Sequence, residues 1–503
     1  MKLLLDTNIF VHREGKDPIN PDIGKLFSWI DRVGYQKCVH QVTVDEISKM
    51  RDKKVREAFL VKLESYHHLP TVAPIHPTVK KIADGFDTSE NDRNDTLLIN
   101  EVYSGRIDLL LTEDRKILKK AKDLGIDDKV FTIESLLEKI TSENPDLLDY
   151  RVLSVKKEYF GNIDLNDVFF DSLREDYFDF NDWFNRKSDE IAYVCKSDGK
   201  VLAFLYLKVE NEKESYNDIN PVFTPGKRLK VGTFKVKLNG FKLGERFLKI
   251  IFDNALQQAV NELYVTIFPK RLEQKRLIDL LKDFGFTYHG TRRSKYGDEG
   301  VYIRDFSPKA SITSPKATYP YLSKKSRKFI VPIYPQYHTN LLPDSILQKE
   351  SPLDFTENEP FRNAISKVYI SRSYNKDLRS GDIIVFYRTG GYYAGVITTI
   401  GIVENVYTKI QDLDQFTRLC RKRSVFSTEE LKNQWEEKPN NRPFIVNFLY
   451  AYSFPKRLNM KRLIELGIIH DRGSAPRGFE LISERDFDTI ISETGSDGHI
   501  IID

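Results

Sequence analysis

The sequence predicts a multidomain protein that combines α/β and α+β architecture: one domain on a parallel sheet, one on a mixed sheet, and one small β-barrel. Three observations predict it. Across residues 1–142, short apolar runs alternate with amphipathic helical stretches, the pattern of parallel strands joined through helices. From about Val152 strands and helices are mixed again in a different order, and beyond Lys328 short strands follow one another between turn signals. The length, 503 residues, exceeds what one core accommodates, since single cores stop growing near about 250–300 residues.

Taken in order, Leu3 to Leu5 before Asp6 form the first strand, and a helix follows near Gly24 to Arg32. QKCVH is the next strand; after further helices come the strands RIDLLLT and KVFTI and the helix ESLLEKI, and SENPDLLD closes the domain around Pro145. A second domain spans residues 150–306. AYVCKSDGKVLAFLYLKVE reads as a hairpin turning at Ser197-Asp198-Gly199, followed by the strand RLKVGTFKV and a helix from Leu243 to about Val260. ELYVTIF, a helix ending at Phe284, and the strands GFTYHG and GVYIRDF complete it. Residues 307–328 contain Pro, Ser, Thr and Lys and no acid, which predicts a basic linker. Residues 329–503 hold the strands KFIVPIYP, KVYISRS, GDIIVFYRT, YYAGVITTIGIVENV and PFIVNFLYAYSFP, the expected barrel.

Composition excludes some classes. With 30% charged residues the net charge is only +4, so any attraction for a polyanion is local. The three cysteines, Cys38, Cys195 and Cys420, match no metal-ligand spacing and suit a reducing, cytoplasmic setting. The apolar run in MKLLLDTNIF is too short for a signal peptide, and nowhere do about 18 apolar residues follow one another, so no membrane partner is expected.

Four carboxylates carry the first candidate site: Asp6, Glu46, Asp95 and Asp114. Asp6 and Asp114 follow apolar runs, at the strand edge where parallel α/β sheets place ligands. Glu46 follows QVTV, and Asp95 stands at the start of the helical stretch TLLINEVY. Mg²⁺ takes hard oxygen ligands, so gathered carboxylates suit it. Singly, the three aspartates are also accounted for as helix caps, and Glu46 as part of a solvated face. In their order, LLLDTNIF, VDE, NDRNDTLLINE and LLLTEDRKI resemble the PIN-domain nucleases. The resemblance implies Mg²⁺ or Mn²⁺ held by Asp6, Glu46, Asp95 and Asp114, with Asn8 and Thr112 in support and Asp92 as the alternative third ligand. It further implies RNA hydrolysis by a metal-activated water without a covalent intermediate, and a toxin-like role with an antitoxin-like protein as partner.

The second candidate site lies in VGTFKVKLNGFKLGERF, a strand, a glycine-bearing loop and a helix start, an arrangement that offers backbone amides to a pyrophosphate. It resembles the coenzyme site of GNAT acetyltransferases. The resemblance implies acetyl-CoA held by Val236, Asn239, Gly240, Phe241, Lys242, Leu243 and Gly244. Asn239 and Lys242 depart from the family's pattern, Lys242 standing where the central glycine is usual. LIDLLKDFGF resembles the family's closing helix and turn, with Gly285 and Phe286 kept, but Leu281 replaces the usual tyrosine and Gln274 the usual asparagine. Glu210 is a candidate base, or equally a solvated strand end. Lys242 is a pyrophosphate contact or a surface lysine.

KDLRSGDIIVFYRTGGYYAGVITTIGIVENV resembles the PUA-like superfamily that includes ASCH and EVE domains, which implies a barrel holding RNA or modified bases. Arg372, Tyr374, Arg379, Tyr387, Arg388, Tyr392 and Tyr393, with Arg421, Lys422 and Arg423, offer phosphate contacts and stacking faces. The alternative is that Tyr387 and about half of the others alternate into the core. Together the sequence points to a PIN-type endoribonuclease acting on RNA, transfer RNA included, that also carries a coenzyme-binding module and an RNA-binding barrel. Two alternatives stand beside it: an N-acetyltransferase acting on a protein, RNA-linked or small-molecule amine, with the first domain as targeting module, and a non-catalytic RNA-binding sensor.

Overall fold

The computed structural model describes residues 1–14, 22–143, 155–197, 199–237, 242–345, 360–496 and 498–502. The chain forms two compact units, Met1–Leu147 and Leu148–Asp503, and its architecture is multidomain α/β, with a five-stranded parallel sheet in the first unit and separate mixed sheets in the second. Among the described residues no helix is long and apolar enough to cross a membrane.

The first unit is built on β1 (Lys2–Leu5), β2 (Gln36–Val39), β3 (His67–His68), β4 (Leu109–Leu111) and β5 (Val130–Phe131). They pair in the order β3-β2-β1-β4-β5, every pairing parallel. Leu3, Leu4, Leu5, Leu110 and Leu111 have no exposed surface, as expected of strands covered on both faces. The strand order reverses between β1 and β4, so the crevice beyond their C-terminal ends is where such a sheet receives ligands. The helix Glu90–Tyr103 begins five residues before Asp95. Ser89 and Asp92 form a reciprocal capping box that starts it early, so Asp95 lies in its second turn.

In the second unit β6 (Val155–Tyr159), β7 (Ile191–Ser197), β8 (Lys200–Glu210), β9 (Ile219–Asn220), β10 (Arg228–Val236), β11 (Glu262–Ile267), β12 (Thr287–Ser294) and β13 (Gly297–Asp305) form one sheet. Its order is β6-β7-β8-β10-β11-β13-β12-β9. β7 and β8 make the expected hairpin, Ser197 opposite Lys200; Asp198 lies outside the described residues. β10 and β11 are parallel and pair only from Leu229–Leu263 to Val231–Val265, after which both strands continue unpaired with each other. The register of β10 on β8 slips between Val231 and Thr233, a bulge at Gly232, where an added Cβ would stand 2.7 Å from Tyr206 Cδ1.

The remaining strands are β14 (Leu322–Ser323), β15 (Lys328–Ile333), β16 (Ser366–Ser371), β17 (Ile383–Arg388), β18 (Val396–Tyr407), β19 (Phe444–Asn459), β20 (Glu480–Ile482) and β21 (Ile501–Ile502). Six of them pair as β16-β19-β18-β17-β15-β20. The long β18–β19 pair slips register three times, each bulge adding local twist.

Residues 307–328, expected as a linker, are packed instead. Tyr319, Tyr321 and Leu322 are buried in the cluster that holds Phe252 and Phe306 on one side and Ile383 and Leu449 on the other. The Tyr319 hydroxyl donates to the Tyr450 carbonyl at 2.8 Å. Gly285 makes room for this strap: at φ +84° it adopts a left-handed conformation, and a Cβ there would fall 2.3 Å from the Ala317 carbonyl oxygen. The Pro, Ser and Lys content suggested solvation, but Tyr319-Pro320-Tyr321-Leu322 carries enough apolar area to bury.

Candidate functional site

Asp6 directly follows β1, and its backbone N–H continues the ladder to the Leu111 carbonyl at 3.1 Å. Its side chain is buried and accepts from the Thr112 hydroxyl at 2.7 Å and from the Asn8 backbone. Thr112 in turn accepts from the Asp114 N–H at 3.0 Å, so one hydroxyl fixes the ends of two neighbouring strands. Asp114 caps the helix Arg115–Asp123, accepting from Lys116 N–H at 2.6 Å and Ile117 N–H at 3.1 Å. Glu46, in the helix Gln41–Ser48, accepts from the Asn94 side chain at 2.8 Å, and Asn94 is the neighbour of Asp95.

These acids act on one another. Burial pushes the Asp6 carboxyl up to about 6 against the Thr112 hydrogen bond, with repulsion from Glu46 and Asp114 adding to it. Burial, then repulsion from Asp6 and Asp114, lifts Asp95 to about 7, opposed by Lys120 and raised further by Glu46. The donor set is entirely carboxylate oxygen, which suits a hard divalent cation. As the side chains lie, Asp6, Glu46 and Asp114 are each turned to a local partner, and among the described residues no three His, Cys, Asp or Glu side chains stand together so as to hold a metal ion. Asp92, the alternative third ligand, is already committed: its carboxylate takes the Thr88 and Ser89 amides, the Thr88 hydroxyl and Lys116 Nζ at 2.5 Å. Lys116 first, then Thr88, holds it far below the usual carboxylate range.

In the second unit a cavity of about 350 Å³ opens where β10 and β11 part. Val236, Lys242, Leu243 and Gly244 line it; Asn239, Gly240 and Phe241 lie outside the described residues. Lys242 precedes the helix Leu243–Gln257 in a left-handed conformation, φ 57°, and its Nζ stands 3.1 Å from Glu245. Gly244 lets the helix start approach Leu280, whose Cδ2 an added Cβ would meet at 2.8 Å. Glu245 is buried, accepting from the Ile365 and Ser366 amides at 2.9 and 3.1 Å and from Arg423 at 3.2 Å. It thereby ties this helix to β16.

Glu210 is not a base for this cavity. It is buried outside the lining, accepts from Tyr264 and Tyr216, and is flanked by Lys208 and Lys230 at 3.4 Å. Burial alone would raise it, but these partners hold it below its ordinary value. Gln274 does line the cavity, donating to Asp176 at 2.9 Å, while Leu281 is fully buried in the core. No sequence pattern points to Tyr177 and Thr266, which line the cavity, or to Glu299 and Arg292 behind them, which folding brings together from scattered positions. The bulge beside them was foreshadowed only by a lone glycine in a strand pattern.

The basic and aromatic residues of the last region do not form one surface. Tyr387 and Arg388 are buried, Arg372 pairs with Glu437 at 2.8 Å, and Arg423 is engaged by Glu245. Tyr374 and Arg379 are exposed, and Lys422, exposed at φ 62°, lines the 350 Å³ cavity.

No family model matches the chain, and no curated protein matches it. Among solved structures, VapBC2 from Rickettsia felis, bound to a DNA fragment from its promoter, is 14% identical over 26% of this chain and 98% of its own, with a TM-score of 0.20. Arabidopsis thaliana Naa50 in complex with a bisubstrate analogue is 15% identical over 31% of this chain and 100% of its own, TM-score 0.21. A GNAT family acetyltransferase from Elizabethkingia anophelis with acetyl-CoA bound is 10% identical over 30% of this chain and 97% of its own, TM-score 0.22.

Proposed function

We propose that the first unit is a Mg²⁺- or Mn²⁺-dependent endoribonuclease of PIN type. The observation that carries this reading is the placement of Asp6 and Asp114 beyond the C-terminal ends of β1 and β4, at the point where the strand order reverses, with Thr112 hydrogen-bonded to both. Burial, with repulsion from neighbouring acids added, raises Asp6 and Asp95, and a cation in that crevice would offset both. Asp6, Glu46, Asp95 and Asp114 would hold the ion, which when bound supplies an acidified water and a counter-charge for phosphate. Thr112 keeps Asp6 and Asp114 in register, and Asn94 orients Glu46. RNA, including transfer RNA, is the proposed substrate, an antitoxin-like protein the proposed partner, and the cytoplasm the proposed location. The test is incubation with total RNA and Mg²⁺ or Mn²⁺. Asp6→Asn with Asp95→Asn is expected to lose cleavage by at least about 10²-fold while RNA retention is unchanged; equal cleavage by both proteins overturns the carboxylate site, and RNA retention with no cleavage by either favours a non-catalytic RNA sensor.

A second reading concerns the second unit: N-acetyl transfer from acetyl-CoA to an amine. It is favoured by the cavity at the strand split, whose size falls within the usual range of about 300–1,000 Å³ for small-molecule sites and whose lining includes a helix start and Lys242. Acetyl-CoA binding by the full chain, measured by calorimetry, tests it.

A further inference from the structure

Glu299 on β13 has no exposed surface, and its carboxylate is fully engaged. The Tyr177 hydroxyl donates to Oε1 at 2.5 Å, the Thr266 hydroxyl donates to the same oxygen at 3.3 Å, and Arg292 donates to Oε2 at 3.2 Å. Arg292 is itself held by Asp218 at 2.6 Å. Two of these groups, Tyr177 and Thr266, also line the cavity described above. The Tyr177 ring is fixed by Phe268 at 5.5 Å and by Tyr296, edge-on, at 5.0 Å.

This arrangement determines what the phenol offers. Its hydrogen is committed to Glu299, so its oxygen lone pairs remain to accept a hydrogen bond from within the cavity. Burial, then the charge of Glu299 and of Asp176, push its ionisation far above the usual range, opposed by Arg292, so it stays a neutral hydroxyl. Leu281 is sealed in the core and does not line the cavity. Among the described lining residues Tyr177 is the one phenol.

We propose that Tyr177, anchored on buried Glu299, is the proton-relay group for an amine acceptor in this cavity. The inference rests on the acyl-transfer reading. In the step, a neutral amine nitrogen attacks the thioester carbonyl carbon of an acyl-CoA; the N–C bond forms, the C–S bond breaks, and its electron pair leaves on sulfur. The proton lost by nitrogen passes to the Tyr177 oxygen as the tyrosine's own proton moves to Glu299. The reverse transfer through Tyr177 delivers a proton to the thiolate, leaving amide, thiol and the original Tyr177–Glu299 pair. Thr266 and Arg292 act as positioning residues, holding Glu299 in line.

The experiment measures thiol release by the full chain from acetyl-CoA with spermidine or a lysine-containing peptide as acceptor. Tyr177→Phe keeps the ring contacts and is expected to lower kcat by about 10²-fold with KM for acetyl-CoA within about twofold. Glu299→Gln, which still accepts from Tyr177 but is a far weaker proton acceptor, is expected to lower kcat by about tenfold or more with the same KM. A Tyr177→Phe protein with kcat within about threefold of wild type overturns the relay and leaves acyl transfer standing. Absence of thiol release by the wild type overturns both. Should Tyr177→Phe fail to fold, Glu299→Gln decides alone, an unchanged kcat overturning the relay.

Discussion

The buried acids of the second unit and the candidate-site acids Asp6 and Asp95 of the first are treated in opposite ways, while Asp92 and Glu101 of the first unit are paired with Lys116 and Arg106. In the second unit each has a cation: Glu245 faces Arg423 and Lys242, Asp344 faces Arg246 at 2.8 Å, and Glu210 lies between Lys208 and Lys230. Burial alone would raise Asp344, yet Arg246 and Lys249 bring it down to about 2. In the first unit, Asp6 and Asp95 are raised to about 6 and about 7, with other acids among the causes. The difference teaches that burial of a carboxylate says little by itself. One compensated inside the fold is a tie between elements, whereas a group that raises one another leaves charge for something outside the chain to balance.

Mutation should separate the two kinds. The largest expected stability effect is at a tie: Glu245→Ala strands Arg423 and the Ile365 and Ser366 amides, and should destabilise the second unit by about 3–5 kcal/mol, read from the urea midpoint. A substitution that leaves the midpoint unmoved would erase the contrast. Next comes the packed strap, where Gly285→Ala meets the Ala317 carbonyl at a positive φ and should cost about 1–3 kcal/mol. A detached linker would feel nothing. Asp6→Asn, by contrast, should raise stability near neutral pH by on the order of 1 kcal/mol, because it removes a charge the fold does not compensate.

The smallest effect is a pH dependence. Asp6 and Asp95 bind protons more readily in the folded chain than in the unfolded one, where their ordinary value is 3.8. Folding therefore takes up protons between about pH 4 and pH 7, and stability from these groups falls as pH rises through that window. The melting temperature of the first unit should drop by a few degrees from pH 5 to pH 7.5, about 2–4 °C, and added Mg²⁺ should restore it. A melting temperature that rises with pH would show that Asp6 and Asp95 are compensated within the chain after all.

Much of this was legible in local patterns. Leu3 to Leu5 and Leu109 to Leu111 announce buried parallel strands because continuous apolar runs fit a sheet covered on both faces; Asp6 follows the first strand directly and Asp114 stands three residues after the second. The apolar run after Asp95 points to a helix start there, whereas the Ser89 and Asp92 capping box begins the helix at Glu90. The 307–328 segment misled because composition averages over Tyr319 and Tyr321, whose burial depends on a hollow shaped by Gly285 and β19.

Order along the chain thus determines which residues end strands and begin helices, since that depends on near neighbours alone. It does not determine which buried acid will meet a cation. Glu245 and Arg423 are 178 positions apart and Tyr177 and Glu299 are 122 apart. Only the packing of β16 against the helix Leu243–Gln257, and of β13 behind the cavity, brings them within hydrogen-bond reach. Whether a carboxylate becomes a tie or part of a site follows from that meeting, because its charge is stabilised or left exposed to other charges by what stands a few ångströms away.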